Sequence, residues 1–82
     1  HEVRVAGEGV QLTFREFELL RYLLINRDIV LSRNKLMDEV WGYDYAGESR
    51  TVDMHIKSLR QKLGAAGDYI KTVRNVGYKI GD

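Results

Sequence analysis

The stretch Arg50–Leu63, RTVDMHIKSLRQKL, decides the fold. Val52, Ile56, Leu59 and Leu63 are spaced four, three and four residues apart, so at about 100° per residue they fall within one narrow arc of a helix. That arc faces a core. The opposite side collects Arg50, Thr51, Met54, Lys57, Ser58 and Gln61, with Arg60 flanking the apolar stripe and no acid among them. Asp53 lies beside the stripe, where it is expected to pair with Lys57 one turn on. A helix that hides one side and offers Arg, Lys, Thr, Ser and Gln on the other has the outline of a rod for a DNA major groove. Taken alone, the same segment also fits an ordinary amphipathic helix whose outer charges are merely solvated.

Working outward, 82 residues are enough for one small domain with a single core. A composition 44% hydrophobic and 30% charged, without a long polar tract, is that of a chain that folds. The net charge of +1 conceals an asymmetry. Residues 1–49 carry six basic and nine acidic side chains, a balance of −3, whereas residues 50–82 carry seven basic and three acidic, a balance of +4. The C-terminal part is the basic pole, as suits a domain that turns one face to a polyanion. The absence of cysteine excludes a disulfide framework and thiolate metal sites and is compatible with a reducing, cytoplasmic setting. The longest apolar run, residues 19–25 with Arg21 and Tyr22 inside it, is too short to span a bilayer, so no membrane association is expected. The chain begins with His rather than Met and is expected to be a fragment of a longer protein.

Residues 2–13 alternate as strands around Gly7-Glu8-Gly9 and predict a hairpin. Thr13-Phe14-Arg15-Glu16 is a capping box that opens helix 1, with Phe17, Leu20, Leu23 and Leu24 as its buried stripe up to about Asn26. Ile29-Val30-Leu31 is a short extended connector. Ser32 then caps helix 2, which runs through about Trp41 with Leu36, Met37 and Val40 inward and Gly42 as its stop. Residues 42–48 lead to Ser49, the expected cap of helix 3; Tyr43 and Tyr45 in that connection have the character of exposed contact residues. After Leu63 the run Gly64-Ala65-Ala66-Gly67 ends the helix. Residues 69–74 and 77–80 form a second hairpin through Asn75-Val76, with Arg74 and Lys79 expected beside its turn.

The order hairpin, helix, helix, helix, hairpin predicts an α+β winged helix, in which the third helix enters the major groove and the last hairpin reaches for backbone or minor groove. Arg50 and Thr51, at the start of helix 3, are expected to anchor backbone phosphate. Met54, Lys57 and Ser58 are the base-edge candidates, Met54 toward a thymine methyl and Lys57 toward guanine or phosphate. Arg60 is expected to meet a phosphate or to pair with Asp53. Trp41 is expected to bury its ring while its indole N–H reaches a phosphate. His55, beside the apolar arc, reads as a packed or surface histidine.

Four separated motifs also carry a family resemblance: Thr13-Phe14-Arg15-Glu16-Phe17-Glu18-Leu19-Leu20; Val40-Trp41-Gly42; Arg50-Thr51-Val52-Asp53-Met54-His55-Ile56 with Leu59-Arg60; and Thr72-Val73-Arg74 with Gly77-Tyr78. In this order they resemble the DNA-binding effector domain of OmpR/PhoB-type two-component response regulators, over nearly the whole chain. The resemblance implies a bacterial transcription regulator that binds direct-repeat half-sites on double-stranded DNA as a head-to-tail homodimer, after a receiver domain is phosphorylated. That receiver domain is absent from this sequence, so the fragment alone is expected to be a monomer that binds DNA weakly. Family matching makes Arg74 the minor-groove candidate, with Thr72 and Tyr78 on phosphates, although Tyr78 is equally read as a core aromatic. The connection between helices 2 and 3 would face RNA polymerase, which maps to Tyr43, Asp44, Tyr45 and Glu48. Two departures stand out. Family domains usually open with a four-stranded sheet, whereas one hairpin precedes helix 1 here, so two strands are expected to be truncated. Ser58 occupies a position where many members carry a base-reading cation.

An enzyme is not expected. Ser32, Ser49 and Ser58 lack a paired His and carboxylate in any recognised pattern, the two His do not make a metal site, and there is no Gly-rich phosphate loop, so neither metal nor cofactor is expected. The remaining alternative is a winged-helix protein-protein interaction module without DNA binding, since a fold does not fix a function.

Overall fold

The computed structural model describes residues 1–43, 45 and 47–81. The chain opens with strands β1 (Glu2–Val5) and β2 (Glu8–Gln11), paired antiparallel with Val3 opposite Val10. Ala6 and Gly7, at φ 51° and 85°, make the two-residue turn between them. Both residues are left-handed, as the turn that suits the strands' twist requires.

Helix α1 (Phe14–Ile25) starts as the sequence predicts: the Glu16 amide donates to Thr13 Oγ1 at 3.2 Å, and the Thr13 amide donates to Glu16 Oε1 at 2.9 Å. Its buried side differs from expectation. Glu16, Leu19, Leu20 and Leu23 face inward, while Leu24 is half exposed. A carboxylate on the buried side rotates the stripe by one position, and the Glu16 network described below supplies the reason.

The connector ends in a short strand, β3 (Leu31–Ser32), before helix α2 (Arg33–Leu36), which widens into a π-turn over Met37–Trp41 and stops at Gly42. Ser32 caps α2, accepting from the Lys35 amide at 3.0 Å, and Leu36, Met37 and Val40 are buried as expected. Ser49 does not act as a cap. It is already helical and its side chain caps nothing, because a turn closed by Thr51 N–H to Glu48 C=O runs straight into α3 (Arg50–Leu63). Val52, Ile56, Leu59 and Leu63 are all buried. A 3-10 turn, Gly64–Tyr69, follows α3 and leads into β4 (Ile70–Val73) and β5 (Gly77–Ile80).

The final hairpin is part of a three-stranded sheet ordered β3-β5-β4, with Leu31 opposite Tyr78 and Ser32 opposite Gly77. Gly77 must be glycine: a Cβ there would overlap the Leu31 carbonyl oxygen and approach Ser32 Cα to 2.8 Å. Lys79 lies opposite Lys71 in the ladder, well back from the turn that it was expected to flank. The core joins Leu19 and Leu23 of α1, Leu36 of α2 and Val52, Ile56 and Leu59 of α3, and the strands close it with Leu12, Leu31, Ile70, Tyr78 and Ile80. Each fully buried aliphatic side chain contributes roughly 1.5–3 kcal/mol, so three helices and a sheet suffice for a chain of this size. The architecture is an α+β winged helix with α3 braced between α1 and the wing. Among the described residues, no helix is long and apolar enough to cross a membrane.

Candidate nucleic-acid interface

Helix α3 carries a second stripe opposite the buried one. Arg50, Met54, Lys57 and Gln61, again spaced four, three and four, are all exposed, and Met54 is 64% accessible despite its apolar side chain. The row extends over about 16 Å of helix axis at 1.5 Å per residue. Thr51 stands half buried at its edge.

Ser58 does not stand free on that outer face. Its hydroxyl donates to Glu16 Oε2 at 2.5 Å, while Lys62 Nζ reaches Glu16 Oε1 at 2.7 Å. Glu16 is only 3% exposed. Burial by itself would raise its pKa, but the hydrogen bonds from Lys62, Ser58 and the Thr13 amide outweigh it and hold the carboxyl down at about 2. The carboxylate thus stays ionised and ties α1 to α3, with Ser58 drawn toward α1.

The wing is fastened to the other flank of α3. Arg60 is half buried; its Nη2 donates to Ile70 O at 2.6 Å and to Thr72 Oγ1 at 2.8 Å, and its Nε to Ile70 O at 3.2 Å. Its guanidinium carbon lies 5.7 Å from the centre of the Tyr78 ring. Asp53 does not pair with Lys57 or Arg60 as expected. It accepts from the Tyr78 hydroxyl at 2.6 Å and faces Arg33 Nη1 at 3.6 Å. Tyr78 is buried, as the core-aromatic reading holds, and burial together with the bond to Asp53 pushes its hydroxyl pKa up to about 12. The phenol therefore remains a donor. Thr72 and Arg74 are exposed, Arg74 in the turn beside the left-handed Asn75.

Between the wing and the starts of α2 and α3 lies a polar cleft of about 410 Å³, lined by Ser32, Arg33, Asn34, Ser49, Thr72 and Asn75 among others. Arg33 and Asn34 were not singled out in the sequence; only their place in the first turn after Ser32 hints at them. Trp41 is partly buried and meets the His55 ring edge-on at 4.9 Å, while His55 Nδ1 lies 2.8 Å from Thr51 O. His55 is thus a packed residue beside the interface.

The connection after α2 contains exposed Tyr43 and Tyr45. The Tyr43 hydroxyl donates to Glu39 Oε1 at 3.0 Å, which raises its pKa and anchors the loop's first aromatic to the end of α2. Glu48 faces Arg50 at 3.5 Å, both well exposed, a pairing worth little in water. Asp44, the remaining residue expected to face a partner here, lies outside the described residues.

Residues 7–80 match the family described as "Transcriptional regulatory protein, C terminal". The chain belongs to the OmpR/PhoB-type family of winged-helix DNA-binding domains. It is 46% identical over 83 aligned positions to the sensory transduction protein RegX3 of Mycolicibacterium smegmatis, covering 98% of this chain but 36% of RegX3. The chain therefore spans a little over a third of the length of the curated relatives it matches. The DNA-binding domain of Bacillus subtilis CssR has the same fold at TM-score 0.88 and 32% identity, over 98% of this chain and 90% of that one. The AdeR DNA-binding domain, solved in complex with an intercistronic region, matches at TM-score 0.86 and 28% identity over 100% and 86% of the two chains. That of Klebsiella pneumoniae RstA, in complex with the RstA box, gives TM-score 0.83 and 36% identity over 98% and 82%. OmpR/PhoB-type domains regulate transcription rather than catalyse, which removes the enzyme reading.

Proposed function

We propose that this domain binds duplex DNA sequence-specifically as the output domain of a phosphorylation-controlled response regulator, with α3 in the major groove and the wing on the minor groove or backbone. The observation that carries this reading is the exposed, acid-free row Arg50, Met54, Lys57 and Gln61 on α3, beside a wing whose turn presents Arg74. Arg50 and Thr51 hold backbone phosphate at the start of the helix. Met54 and Lys57 read base edges, Met54 through a thymine methyl and Lys57 through guanine or phosphate. Arg74 enters the minor groove, Thr72 approaches a phosphate, and the Trp41 indole N–H approaches one near the end of α2. Ser58 and Tyr78, whose hydroxyls are taken by Glu16 and Asp53, are support rather than contact.

The greater length of the relatives supports a receiver domain elsewhere in a cytoplasmic, full-length regulator, where phosphorylation favours a head-to-tail dimer on direct repeats. Tyr43, Tyr45 and Glu48, with Asp44, are the surface for RNA polymerase. If α3 and the wing neutralise about four to six phosphates, log affinity falls against log salt with a slope of roughly −4 to −5. Selection from a random DNA pool followed by mobility shifts tests the reading. Arg50→Ala and Arg74→Ala are each expected to weaken binding about tenfold with little change in melting temperature, and Arg4→Ala in the first hairpin to leave it unaltered. A wild-type chain with neither binding nor slope would instead be a protein-interaction module.

A further inference from the structure

We infer that Arg60 is a positioning residue, which sets where the wing's arginine meets DNA by gripping the root of the wing rather than by touching nucleic acid. The inference rests on the DNA-binding reading above and deepens it. Ile70 is the first residue of β4, Thr72 follows two residues on, and Thr72 pairs with Tyr78 of β5. A single guanidinium bonded to Ile70 and Thr72 and lying over the Tyr78 ring therefore holds both strands of the wing from one side. The planar fork is suited to this: two of its nitrogens converge on the Ile70 carbonyl while one also reaches the Thr72 hydroxyl. The N–H groups on Nε and Nη2, three of the five, are committed to the wing, and swinging the guanidinium out to a phosphate would break those bonds.

The second tether, Tyr78 to Asp53, attaches to α3 seven residues earlier, on the same flank and about 10 Å away along the axis. With β5 already paired to β3, the two attachments at separate heights set the angle at which β4, the outer strand, lies against α3. The lever arm makes the orientation matter. Arg74 lies four residues beyond Ile70, about 13 Å along an extended strand, so a swing of roughly 10° at the root displaces the turn by about 2 Å. A hydrogen bond to DNA tolerates a few tenths of an ångström. Loosening Arg60 should thus cost the contact made by Arg74, although Arg74 itself is unchanged.

A double-mutant cycle in the 82-residue chain, on duplex carrying the selected sequence, tests the inference. Arg74→Ala is expected to weaken binding about tenfold in the native background and less than about twofold in Arg60→Ala, and the salt slope to fall by about one in either single variant with no further loss in the double. Arg60→Lys, which keeps the charge without the fork, is expected to behave like Arg60→Ala. Amide exchange in the free protein should rise in β4 and β5 of both Arg60 variants while α1 stays protected, and Thr72→Val should give a weaker form of the same pattern. Additive losses in the double variant, or restoration of binding by lysine, would assign Arg60 to direct charge contact and overturn the inference. Unchanged wing exchange would overturn it as well. Failure of the native chain to bind any duplex would sink the DNA reading, and the exchange measurement would still decide whether Arg60 grips the wing.

Discussion

The two hairpins have strands of equal length, four residues each, yet they are fastened to the helices in different ways. The first remains a two-stranded ribbon with Val3, Val5 and Val10 only half buried. Its exit is secured where Glu16, just after the Thr13 cap, accepts from Ser58 and Lys62 of α3. The second recruits β3, buries Ile70, Tyr78 and Ile80, and is held by a cation and a neutral phenol, through Arg60 and through Tyr78 on Asp53. An isolated hairpin is marginal in water, so both depend on their tethers. One end of the domain thus relies on a deeply buried carboxylate kept ionised by its donors, while the end that would meet DNA relies on an arginine fork bonded to main-chain and hydroxyl oxygens and on a phenol whose proton is held by burial and by its bond to the partly exposed Asp53.

The largest test of this contrast pairs two glycines. Gly77→Ala drives a methyl into the backbone of Leu31 and Ser32 and is expected to cost about 3 kcal/mol or more, enough to unfold much of the population. Gly7→Ala, with nothing within 4 Å of the new Cβ but a φ of 85°, is expected to cost about 1 kcal/mol in the same denaturant titration. Next comes acid. The Glu16 pKa is depressed when folded, so its contribution is complete above about 4.5 and is lost as pH falls toward about 2. The shift corresponds to roughly 3 kcal/mol at most. Urea titrations across that window should show the loss in the native chain and its near absence in Glu16→Gln, which at neutral pH is already about 2 kcal/mol weaker. Amide exchange at about pH 3 should rise around β2 and the first turn of α1 before it rises in β4 and β5; the reverse order would break the comparison. The smallest effect is that of Tyr78→Phe, which keeps the buried ring and removes one hydrogen bond to Asp53. It is expected to cost about 1 kcal/mol, read from the same titrations.

Much of this arrangement was legible in the chain. The period of Val52, Ile56, Leu59 and Leu63 located α3 and its buried side, and Thr13 with Glu16 located the start of α1, because both signals are local. What escaped reading depends on partners distant in sequence. Leu31–Ser32 is a strand only because β5 pairs with it, more than forty residues later. Leu24 and Leu19 were indistinguishable by hydrophobicity, and only the partners of Glu16 decide which one turns inward. Asp53 was assigned to its neighbour one turn on, yet Tyr78 and Arg33 took it across the fold. The same limit governed the interface. The exposed row on α3 follows from spacing, whereas the commitment of Ser58 to α1 and of Arg60 to the wing follows from packing, where the sequence had placed Ser58 on the outer face and Arg60 beside the stripe as a partner for phosphate or Asp53.

Ser32 belongs to two structures at once. Its backbone pairs with Gly77 of the wing, while its hydroxyl closes the first turn of α2. The joint is shared, so a swing of the wing is not private to it: displacement must either open that ladder pair or drag the head of α2 along. Any displacement of the wing is thereby passed to the start of the helix that leads to Trp41 and the tyrosines beyond it.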